Sequence, residues 1–551
     1  MYIEKINSPK DIKELSVEQL SVLAEEVRTA LIRKLSEHGG HIGPNLGMVE
    51  TTIALHYVFN SPIDKIVFDV SHQSYVHKML TGRMAAFLDP AKYDDVTGYT
   101  NPDESEHDFF TIGHTSTSVS LAMGLAKGRD LIGGKENIIA VIGDGSLSGG
   151  EALEGLNNAA MLGSNMIIIV NDNDQSIAEN HGGLYKGLKE LRDTNGESPD
   201  NIFKAMGLEY YYLGDGHDVS ALIKLFTSVK DIDHAVVLHI HTIKGKGLKY
   251  AEENKEYWHA GGPFHIEDGS PKGPGWPVNE TVRESVLDLI EKRSDVVAIT
   301  AGTPSVIGFT EDYRKRAGKQ FVDVGIAEEH AVAMASGIAR NGGTPIFGVF
   351  SPFLQRTYDQ LSSDLCLNNN PAVIMVFMAS VYGMNSNTHL GIYDIPMISH
   401  IPNLVYLAPT SKEEYLAMFK YATTQKTHPI AIRIPMMMPE TGIEDTTDYS
   451  LLNKYQVVRK GSSVAIIALG DFFELGVQIA DKYKILTGND VTLINPKFIT
   501  GIDEELLECL KTDHELVLTL EDGIVEGGFG QTIASFYGLS DMKVKNYGIK
   551  K

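Results

Sequence analysis

The sequence contains few cysteines, a minority of positive charges and no long apolar run. Cys366 and Cys509 are the only cysteines among 551 residues, which excludes a disulfide framework and a metal site built on paired cysteines. Both lie in apolar, helix-like patterns, so we expect two small core residues. No apolar run approaches the roughly 20 residues that cross a bilayer, and residues 1–10 lack the apolar core of a secretory signal. We therefore expect a cytoplasmic protein without membrane association.

Acidic residues outnumber basic ones, 72 to 48, which gives a formal net charge of −24. This charge argues against a nucleic-acid partner, because binding to a phosphate backbone requires a basic surface. An anionic ligand must then be held locally, by a metal ion or by the N–H groups at a helix N-terminus. The expected partners are small-molecule substrates.

The length and the order of apolar segments predict three α/β domains in succession. A single hydrophobic core does not extend over 551 residues, and domains average about 150 residues. Short β-branched runs alternate with helical patterns, which predicts mostly parallel sheets covered on both faces. Breaks at 269–277 and 435–450 suggest domains over 1–270, 280–440 and 450–551. The predicted strands are Ile138–Ile142, Met166–Val170, Val236–Ile240, Val296–Thr300, Pro345–Val349, Val373–Phe377, Leu404–Leu407, Val464–Leu469, Val491–Ile494 and Glu515–Leu520.

Two polar motifs follow neighbouring predicted strands. Gly143-Asp144-Gly145-Ser146 ends the first strand and precedes a helix that begins near Glu151, and Asn171-Asp172-Asn173 ends the second. Asp144 and Asn173 supply the oxygen ligands that Mg²⁺ or Ca²⁺ prefers, and the glycines allow a diphosphate to approach the backbone. A tight turn with an uninvolved acid is the alternative interpretation. The combination of strand, helix and second motif favours the cation site.

This GDG…N pattern resembles the thiamine diphosphate (ThDP) signature of the transketolase group. The resemblance implies bound ThDP and Mg²⁺, with Asp144, Asn173 and the backbone carbonyl of Gln175 as metal ligands. It also implies that Gly145 and Ser146 lie against the diphosphate.

ThDP chemistry needs a carboxylate at N1′ of the aminopyrimidine ring and an aromatic side chain stacked on that ring. Glu328 follows a predicted strand in the segment 321–330, and Phe353 lies shortly after another strand. Alone, Glu328 is typical of an acid at a helix N-terminus. Beside the GDG motif, the catalytic interpretation is favoured.

Several further segments resemble the 1-deoxy-D-xylulose-5-phosphate synthase family, from about residue 30 onward. The matching segments are DVSHQSYVHK at 69–78, LTGR at 80–83, GHTSTS at 113–118, DVGIAEEHAV at 323–332 and FLQRTYDQ at 353–360. The resemblance implies decarboxylation of pyruvate and transfer of the two-carbon unit to glyceraldehyde 3-phosphate, in isoprenoid biosynthesis. It implies a transketolase-like fold, a homodimer whose first two domains enclose the active site, and a transketolase C-terminal-like domain.

The same resemblance identifies candidate site residues. His41, His72, His259 and His389 match the active-site histidines of the family, and imidazole groups titrate near neutral pH. The residues matched to cofactor contacts are His72, Gly113, His114 and Thr115.

The departures from the family pattern concentrate in the expected acceptor pocket. Met378 and Met436 stand where the family has phosphate-binding arginines, and Asn385 stands where it has an aspartate that contacts substrate hydroxyls. Phe350 and Leu248 replace tyrosines. The segment between Ile177 and Asn201 is also shorter than in the family.

Loss of two arginines predicts weak phosphate binding. Charge-assisted hydrogen bonds contribute about 1.5–3 kcal/mol each, so two lost bonds weaken phosphate binding by roughly 100-fold or more. We expect an unphosphorylated acceptor, or a phosphate held by other residues. Arg356 and Arg433 are the nearest candidates, and a structural ion pair is the alternative for each.

Three interpretations of function follow. The first is a 1-deoxy-D-xylulose-5-phosphate synthase or a close paralogue. The second is a transketolase-like enzyme with a different donor or an unphosphorylated acceptor. The third is a non-catalytic ThDP-binding paralogue, which the presence of Glu328 and the four histidines disfavours.

Overall fold

The computed structural model describes residues 1–273, 279–384 and 386–550, in two compact units. The first unit contains the described residues up to 273 together with Gly325–Ala327. The second unit contains 279–324 and 328–550. Part of the predicted linker, residues 274–277, lies outside the described residues.

The first unit is built on a parallel sheet whose central strands are wholly buried. Its five strands follow the order β2-β3-β4-β6-β5, and β1 and β7 form a small antiparallel pair. Isoleucine and valine dominate β3 and β4, as expected for strands covered by helices on both faces. The strands are β1 (Gly40–His41), β2 (Lys65–Phe68), β3 (Ile138–Gly143), β4 (Met166–Asp172), β5 (Glu209–Leu213), β6 (Ala235–His241) and β7 (Ala260–Gly261).

Helices of the first unit cover this sheet. The N-terminal helix has a capping box, in which Ser16 accepts a hydrogen bond from the Gln19 amide and Gln19 accepts one from the Ser16 amide. The α-helices are Pro9–Ile12, Val17–His38, Gly43–Gly47, Val49–Val58, Tyr75–Lys78, Ala85–Leu88, Ser118–Leu131, Gly150–Ala159, Gly183–Asp193, Ile202–Ala205, Val219–Val229 and Lys249–Glu253.

The second unit contains two sheets. A six-stranded parallel sheet has the order β12-β13-β11-β10-β8-β9. A five-stranded sheet has the order β14-β16-β15-β17-β18 and is parallel except for the β14–β16 pair. The strands are β8 (Val296–Thr300), β9 (Phe321–Asp323), β10 (Thr344–Phe350), β11 (Val373–Phe377), β12 (Val405–Leu407), β13 (Ile430–Arg433), β14 (Gln456–Arg459), β15 (Ser463–Ala468), β16 (Thr492–Asn495), β17 (His514–Ile524) and β18 (Lys543–Ile549).

Helices also flank the sheets of the second unit. Capping side chains begin several of them, including Asn279, Ser411 and Asp503, each of which accepts a hydrogen bond from a backbone amide three residues later. The α-helices are Glu280–Lys292, Glu311–Ala317, Glu328–Arg340, Ser351–Leu354, Asp394–Ser399, Lys412–Thr424, Phe473–Thr487, Glu504–Leu510 and Phe529–Tyr537.

The predicted α/β class, with three successive parallel sheets, is confirmed. Every strand predicted from an apolar run is present, whereas β1, β2, β5, β7, β13, β14 and β18 were missed. Four of them, β2, β5, β14 and β18, lie at sheet edges, where one side is open and polar residues interrupt the apolar pattern. β1 and β7 have only two residues each, and β13 is an internal strand of only four residues. The three domain boundaries stay a prediction.

The cysteine prediction is correct for one residue and wrong for the other. Cys366 is buried, and burial raises the pKa of its thiol to about 12. Cys509 is exposed, because the helix Glu504–Leu510 packs through Leu507 and Leu510 and Cys509 lies on another face.

Among the described residues, no helix has both the length and the apolar character needed to span a bilayer.

Candidate active site

In the first unit, the two polar motifs come from neighbouring parallel strands. Gly143 at the end of β3 aligns with Asn171 near the end of β4. The amide of Asp144 donates to the Asn171 carbonyl at 3.1 Å. A 3₁₀ turn at Gly145–Ser148 then leads into the helix Gly150–Ala159. The structure therefore places Asp144 and the Asn171–Asn173 motif together at the carboxyl ends of two central strands.

The Asp144 carboxylate is buried, with 1% of the residue exposed. Its Oδ2 accepts hydrogen bonds from the Gln175 amide at 3.0 Å and from Asn180 Nδ2 at 2.6 Å. Burial, and then the nearby Asp172 carboxylate, raise the pKa of Asp144 to about 7. A cation beside this carboxylate would favour its ionised form, so the site fits a metal ion electrostatically.

Two amide oxygens near Asp144 also fit a cation. Among the described residues, Asn173 Oδ1 and Asn180 Oδ1 are buried and accept no hydrogen bond. A buried acceptor without a partner costs about 1–3 kcal/mol, which an oxygen-bound cation would offset. The described chain holds no group of three or more histidine, cysteine or acidic side chains suited to a metal. A site here would therefore rest on one carboxylate together with amide and main-chain oxygens.

The predicted diphosphate contacts lie beside the turn that follows β3. Asp69 accepts hydrogen bonds from the amides of Ser116 at 2.8 Å and Ser118 at 2.9 Å, at the start of a helix. Ser116 has a φ of 73° and its hydroxyl donates to the Ser146 carbonyl at 2.8 Å. The segment 113–115, with His114 and Thr115, directly precedes this contact. Asp69 thus holds Ser116 and the start of this helix beside Ser146, a role that the sequence did not reveal.

Three of the predicted histidines form a cluster in the first unit. The ring centroids of His41 and His72 are 5.1 Å apart, those of His72 and His259 are 5.3 Å apart, and those of His41 and His259 are 5.9 Å apart. The β1–β7 pairing aligns His41 with Ala260 and so places His259 nearby. Asn45 Nδ2 donates to the carbonyls of His41 at 2.8 Å and His72 at 2.7 Å. Asn45 was also missed, because a lone asparagine carries no sequence signal.

Burial and the nearby Lys244 lower the pKa values of two histidines in this cluster. Lys244 is buried, and burial lowers the pKa of its ammonium group to about 7. Burial, and then Lys244, lower the pKa of His41 to about 4 and that of His259 well below its ordinary value. Both imidazoles are therefore neutral at pH 7, and within the described chain their Nδ1 atoms have no hydrogen-bond partner. A neutral imidazole with an unpaired nitrogen can exchange a proton with a bound ligand.

In the second unit, Glu328 is the first residue of the helix Glu328–Arg340 and is 4% exposed. Burial raises the pKa of its carboxyl to about 7, although Arg356 opposes this shift. Its Oε2 has no hydrogen-bond partner among the described residues. A buried carboxyl group with a free oxygen is suited to a hydrogen bond with a ring nitrogen of a ligand.

Phe353 lies between two other predicted site residues. Its ring contacts His389 edge-to-face at 5.6 Å and Phe350 at 5.8 Å. His389 Nδ1 is hydrogen-bonded to the Thr388 hydroxyl at 2.8 Å. The structure thus brings together one catalytic candidate, the stacking candidate and one residue of the divergent acceptor pocket.

Two further acceptor candidates are Met378, which the structure describes, and Asn385, which it does not. Met378 is partly buried and has a φ of 55°, a strained conformation for a non-glycine residue. Gly383 and Gly391 approach its carbonyl so closely that an added Cβ would lie 2.2 and 2.0 Å from the oxygen. Asn385 lies outside the described residues.

Arg433 is engaged by carboxylates of its own chain. It is buried, and it donates from Nε to Asp394 at 2.8 Å and from Nη1 to Asp522 at 2.5 Å. This arrangement favours the structural ion-pair interpretation over a phosphate contact. Beside it, the amides of Met436 and Met437 donate to Asp471 at 3.1 and 3.4 Å. Backbone N–H groups that could bind an anion therefore already hold a carboxylate.

Family models match three successive parts of the chain. The model described as 1-deoxy-D-xylulose-5-phosphate synthase matches residues 3–198 and 194–242. The transketolase pyrimidine binding domain matches residues 277–439, and the transketolase C-terminal domain matches residues 453–549.

Curated relatives align over almost the whole chain. The 1-deoxy-D-xylulose-5-phosphate synthase of Clostridium beijerinckii is 38% identical, over 98% of this chain and 93% of that relative. The enzyme of the same name from Carboxydothermus hydrogenoformans is 37% identical, over 99% and 94%. A solved transketolase from Campylobacter jejuni covers 98% of this chain and 96% of that one at 16% identity, with a TM-score of 0.42. That score is too low to support an inference.

We predict that Glu328→Gln raises the thermal unfolding midpoint of the protein at alkaline pH. The folded state keeps the Glu328 proton up to about pH 7, whereas the ordinary pKa is 4.5. The folded state therefore binds more protons in this window, and its stability falls as pH rises from 4.5 to 7. Glutamine removes this effect, so the variant should unfold a few °C higher above pH 7, at about 2–4 °C per kcal/mol.

The difference between the two proteins should vanish below pH 4.5. Glu329→Gln, which neutralises the neighbouring and less buried acid, is the matched control. Equal midpoints for Glu328→Gln and the parent protein at every pH would contradict the prediction.

Proposed function

Because the chain belongs to the 1-deoxy-D-xylulose-5-phosphate synthase family, we propose that it decarboxylates pyruvate with ThDP and transfers the two-carbon unit to an aldehyde. The main structural support is the buried Asp144 carboxylate and the buried Asn173 Oδ1, which follow two adjacent strands. Asn173 Oδ1 has no hydrogen-bond partner in the described residues. This pair of groups is suited to a divalent cation that neutralises a diphosphate in a chain with a net charge of −24.

We assign the cofactor contacts as follows. Asp144, Asn173 and the Gln175 carbonyl would hold Mg²⁺, while Gly145, Ser146 and the segment 113–115 would contact the diphosphate. ThDP, when bound, supplies a nucleophilic carbon and an electron sink.

The pyrimidine ring would be held by residues of the second unit. The protonated Glu328 carboxyl would hydrogen-bond N1′, and its raised pKa keeps the proton available near neutral pH. Phe353 would stack on the ring. Among these residues, Glu328 would be the one that holds a proton for the bound cofactor.

The histidines would handle protons on the substrate. His41 and His259 are neutral at pH 7 because burial and Lys244 lower their pKa values. Each can donate a hydrogen bond to a substrate oxygen from one ring nitrogen and accept a proton at the other. His72 packs against both rings and limits their orientations. His389, oriented by the Thr388 hydroxyl, would act in the same way from the second unit.

The acceptor is proposed to lack a phosphate group. Arg433 is neutralised by Asp394 and Asp522, and Asp471 occupies the amides of Met436 and Met437. A phosphate dianion at this position would meet an excess of negative charge and no free guanidinium from Arg433. A transketolase-like enzyme with a ketose donor remains the second candidate, because the cofactor contacts do not distinguish the donors.

The oligomeric state and the cellular location are proposed from membership of the family. We propose that the protein works as a homodimer in the cytoplasm.

We predict that the protein with ThDP, Mg²⁺ and pyruvate releases CO₂ in the presence of glyceraldehyde or short aldehydes. It should use glyceraldehyde 3-phosphate less efficiently, because two phosphate-binding arginines are replaced by Met378 and Met436. Acceptor-dependent CO₂ release and product formation measure this preference. Efficient turnover with the phosphorylated aldehyde alone would reject the altered acceptor, and turnover of ketose phosphates without CO₂ release from pyruvate would favour the second candidate.

We predict separate effects for the two cofactor carboxylates. Asp144→Ala should remove Mg²⁺-dependent ThDP binding, measured by calorimetry, because the cation loses its charged ligand. Glu328→Ala should still bind ThDP but lose hydrogen–deuterium exchange at C2 of the thiazolium ring, measured by NMR. Unchanged binding by Asp144→Ala would reject the metal assignment, and unchanged C2 exchange in Glu328→Ala would reject the pyrimidine assignment.

We predict that Asp471→Asn raises kcat/KM for glyceraldehyde 3-phosphate relative to glyceraldehyde. Removal of one partly buried negative charge should change this ratio by about tenfold, because a nearby charge interacts by more than 1 kcal/mol at intermediate dielectric. Glu474→Gln removes the same charge from an exposed neighbour and should leave the ratio unchanged. Equal ratios for both variants and the parent protein would contradict a role for Asp471 in excluding phosphate.

A further inference from the structure

One segment of the first unit contacts both motifs of the candidate cation site. We name residues 177–193 the supporting segment. Asn180 Nδ2 donates to Asp144 Oδ2 at 2.6 Å, and the Tyr185 hydroxyl donates to the Gly145 carbonyl at 3.1 Å. Both contacts reach the turn that follows β3.

Arg192 reaches the other motif. Its Nη1 donates to both carboxylate oxygens of Asp172, at 2.8 and 2.6 Å, and its Nη2 lies 2.6 Å from an oxygen of Asp174. These two acids flank Asn173, the proposed metal ligand. The guanidinium therefore pairs with the side chains on both sides of Asn173, including that of Asp174, whose backbone has a φ of 58°.

A deeper polar group also contacts the Asp172 carboxylate. Asp172 also interacts with His239 Nε2 at 2.8 Å, and His239 Nδ1 with the Tyr210 hydroxyl at 2.8 Å. The carboxylate is thus fixed from the sheet side by His239 and from the outer side by Arg192. The side chain of Arg192 is only 9% exposed, so solvent screens this pair far less than a surface ion pair.

The sequence of the helix Gly183–Asp193 explains how Tyr185 and Arg192 are positioned. Tyr185, Leu188 and Leu191 are buried and recur at helical spacing, so one face packs against the protein. Arg192 lies in the last turn, where a positive charge interacts favourably with the helix dipole. The same packed face therefore sets the position of Tyr185 and, through the helix backbone, of Arg192.

We propose that Asn180 and Arg192 are positioning residues that fix Asp144 and Asn173 before the cation and the cofactor bind. This inference rests on the proposed cation site. The supporting segment sets the affinity for Mg²⁺ and ThDP, because it holds the ligands in place and does not itself touch the reacting atoms. Outer contacts of this kind change metal affinity by about 10–100-fold when they are removed.

The test uses the full-length protein with Mg²⁺ and ThDP. Arg192→Met and Asn180→Ala should each raise the Mg²⁺ concentration for half-maximal ThDP binding, measured by calorimetry, by about tenfold or more. The turnover number of Arg192→Met at saturating Mg²⁺ and ThDP should stay within about twofold, since excess ligand restores occupancy. Arg192→Lys should give an intermediate shift, because a single ammonium group cannot pair with both acids as the planar guanidinium does.

Lys189→Met is the matched control. It removes an exposed ion pair with Asp193 from the same helix and should leave the half-saturating Mg²⁺ concentration unchanged. A lower unfolding temperature with unchanged half-saturation in Arg192→Met and Asn180→Ala would overturn the proposal, because the segment would then be structural only. Asn180→Ala removes a single side-chain amide, so it keeps the test decisive if Arg192→Met does not fold.

Asp144→Ala separates this inference from the proposed function. Loss of Mg²⁺-dependent binding in Asp144→Ala, with no shift in the Arg192 and Asn180 variants, rejects the positioning role alone. Unchanged binding in Asp144→Ala rejects the cation site and the positioning role together.

Discussion

The buried carboxylate of Asp144 is the group on which the cofactor half of this protein depends. It lies at the end of β3, close to a second buried acid, Asp172, and these surroundings raise its pKa to about 7. Such a site favours occupation by a cation. Within the described part of the chain, Asn173 Oδ1 and Asn180 Oδ1 are also buried without a hydrogen-bond partner, and a bound cation would be a partner for these oxygens. The chain's net charge of −24 makes a local cation more important for binding a diphosphate, because the protein has no general positive field to attract that anion.

In the second unit, by contrast, buried charged groups pair with each other within the chain. Arg433 is surrounded by Asp394 and Asp522, and Asp471 occupies two neighbouring backbone amides. Here, acids of the chain itself satisfy the groups that would otherwise bind an anion. This difference in charge is the basis of our proposal that the family reaction uses an altered acceptor.

Much of the fold could be predicted because central parallel strands carry continuous apolar runs. The predicted strands Val296–Thr300 and Val373–Phe377 match the observed bounds, since both are buried on two faces. Edge strands such as β5 and β18 were missed because exposure allows polar residues in them. Cys509 was misassigned for a related reason: composition indicates a helix, but only packing decides which face is buried.

By itself, the sequence determined the family, the α/β class and the identity of the candidate ligands, because these depend on motifs of adjacent residues and on short apolar patterns. Only the tertiary structure decided how Asn45, Lys244, Arg192 and Asp471 act. Each interacts with a residue that is distant in the sequence: Asn45 with His72, Lys244 with His41, Arg192 with Asp172 and Asp471 with Met436. Each is also of a residue type with many ordinary roles. Burial and neighbouring charge set the protonation of His41 and Glu328, and both arise only when the folded chain excludes water.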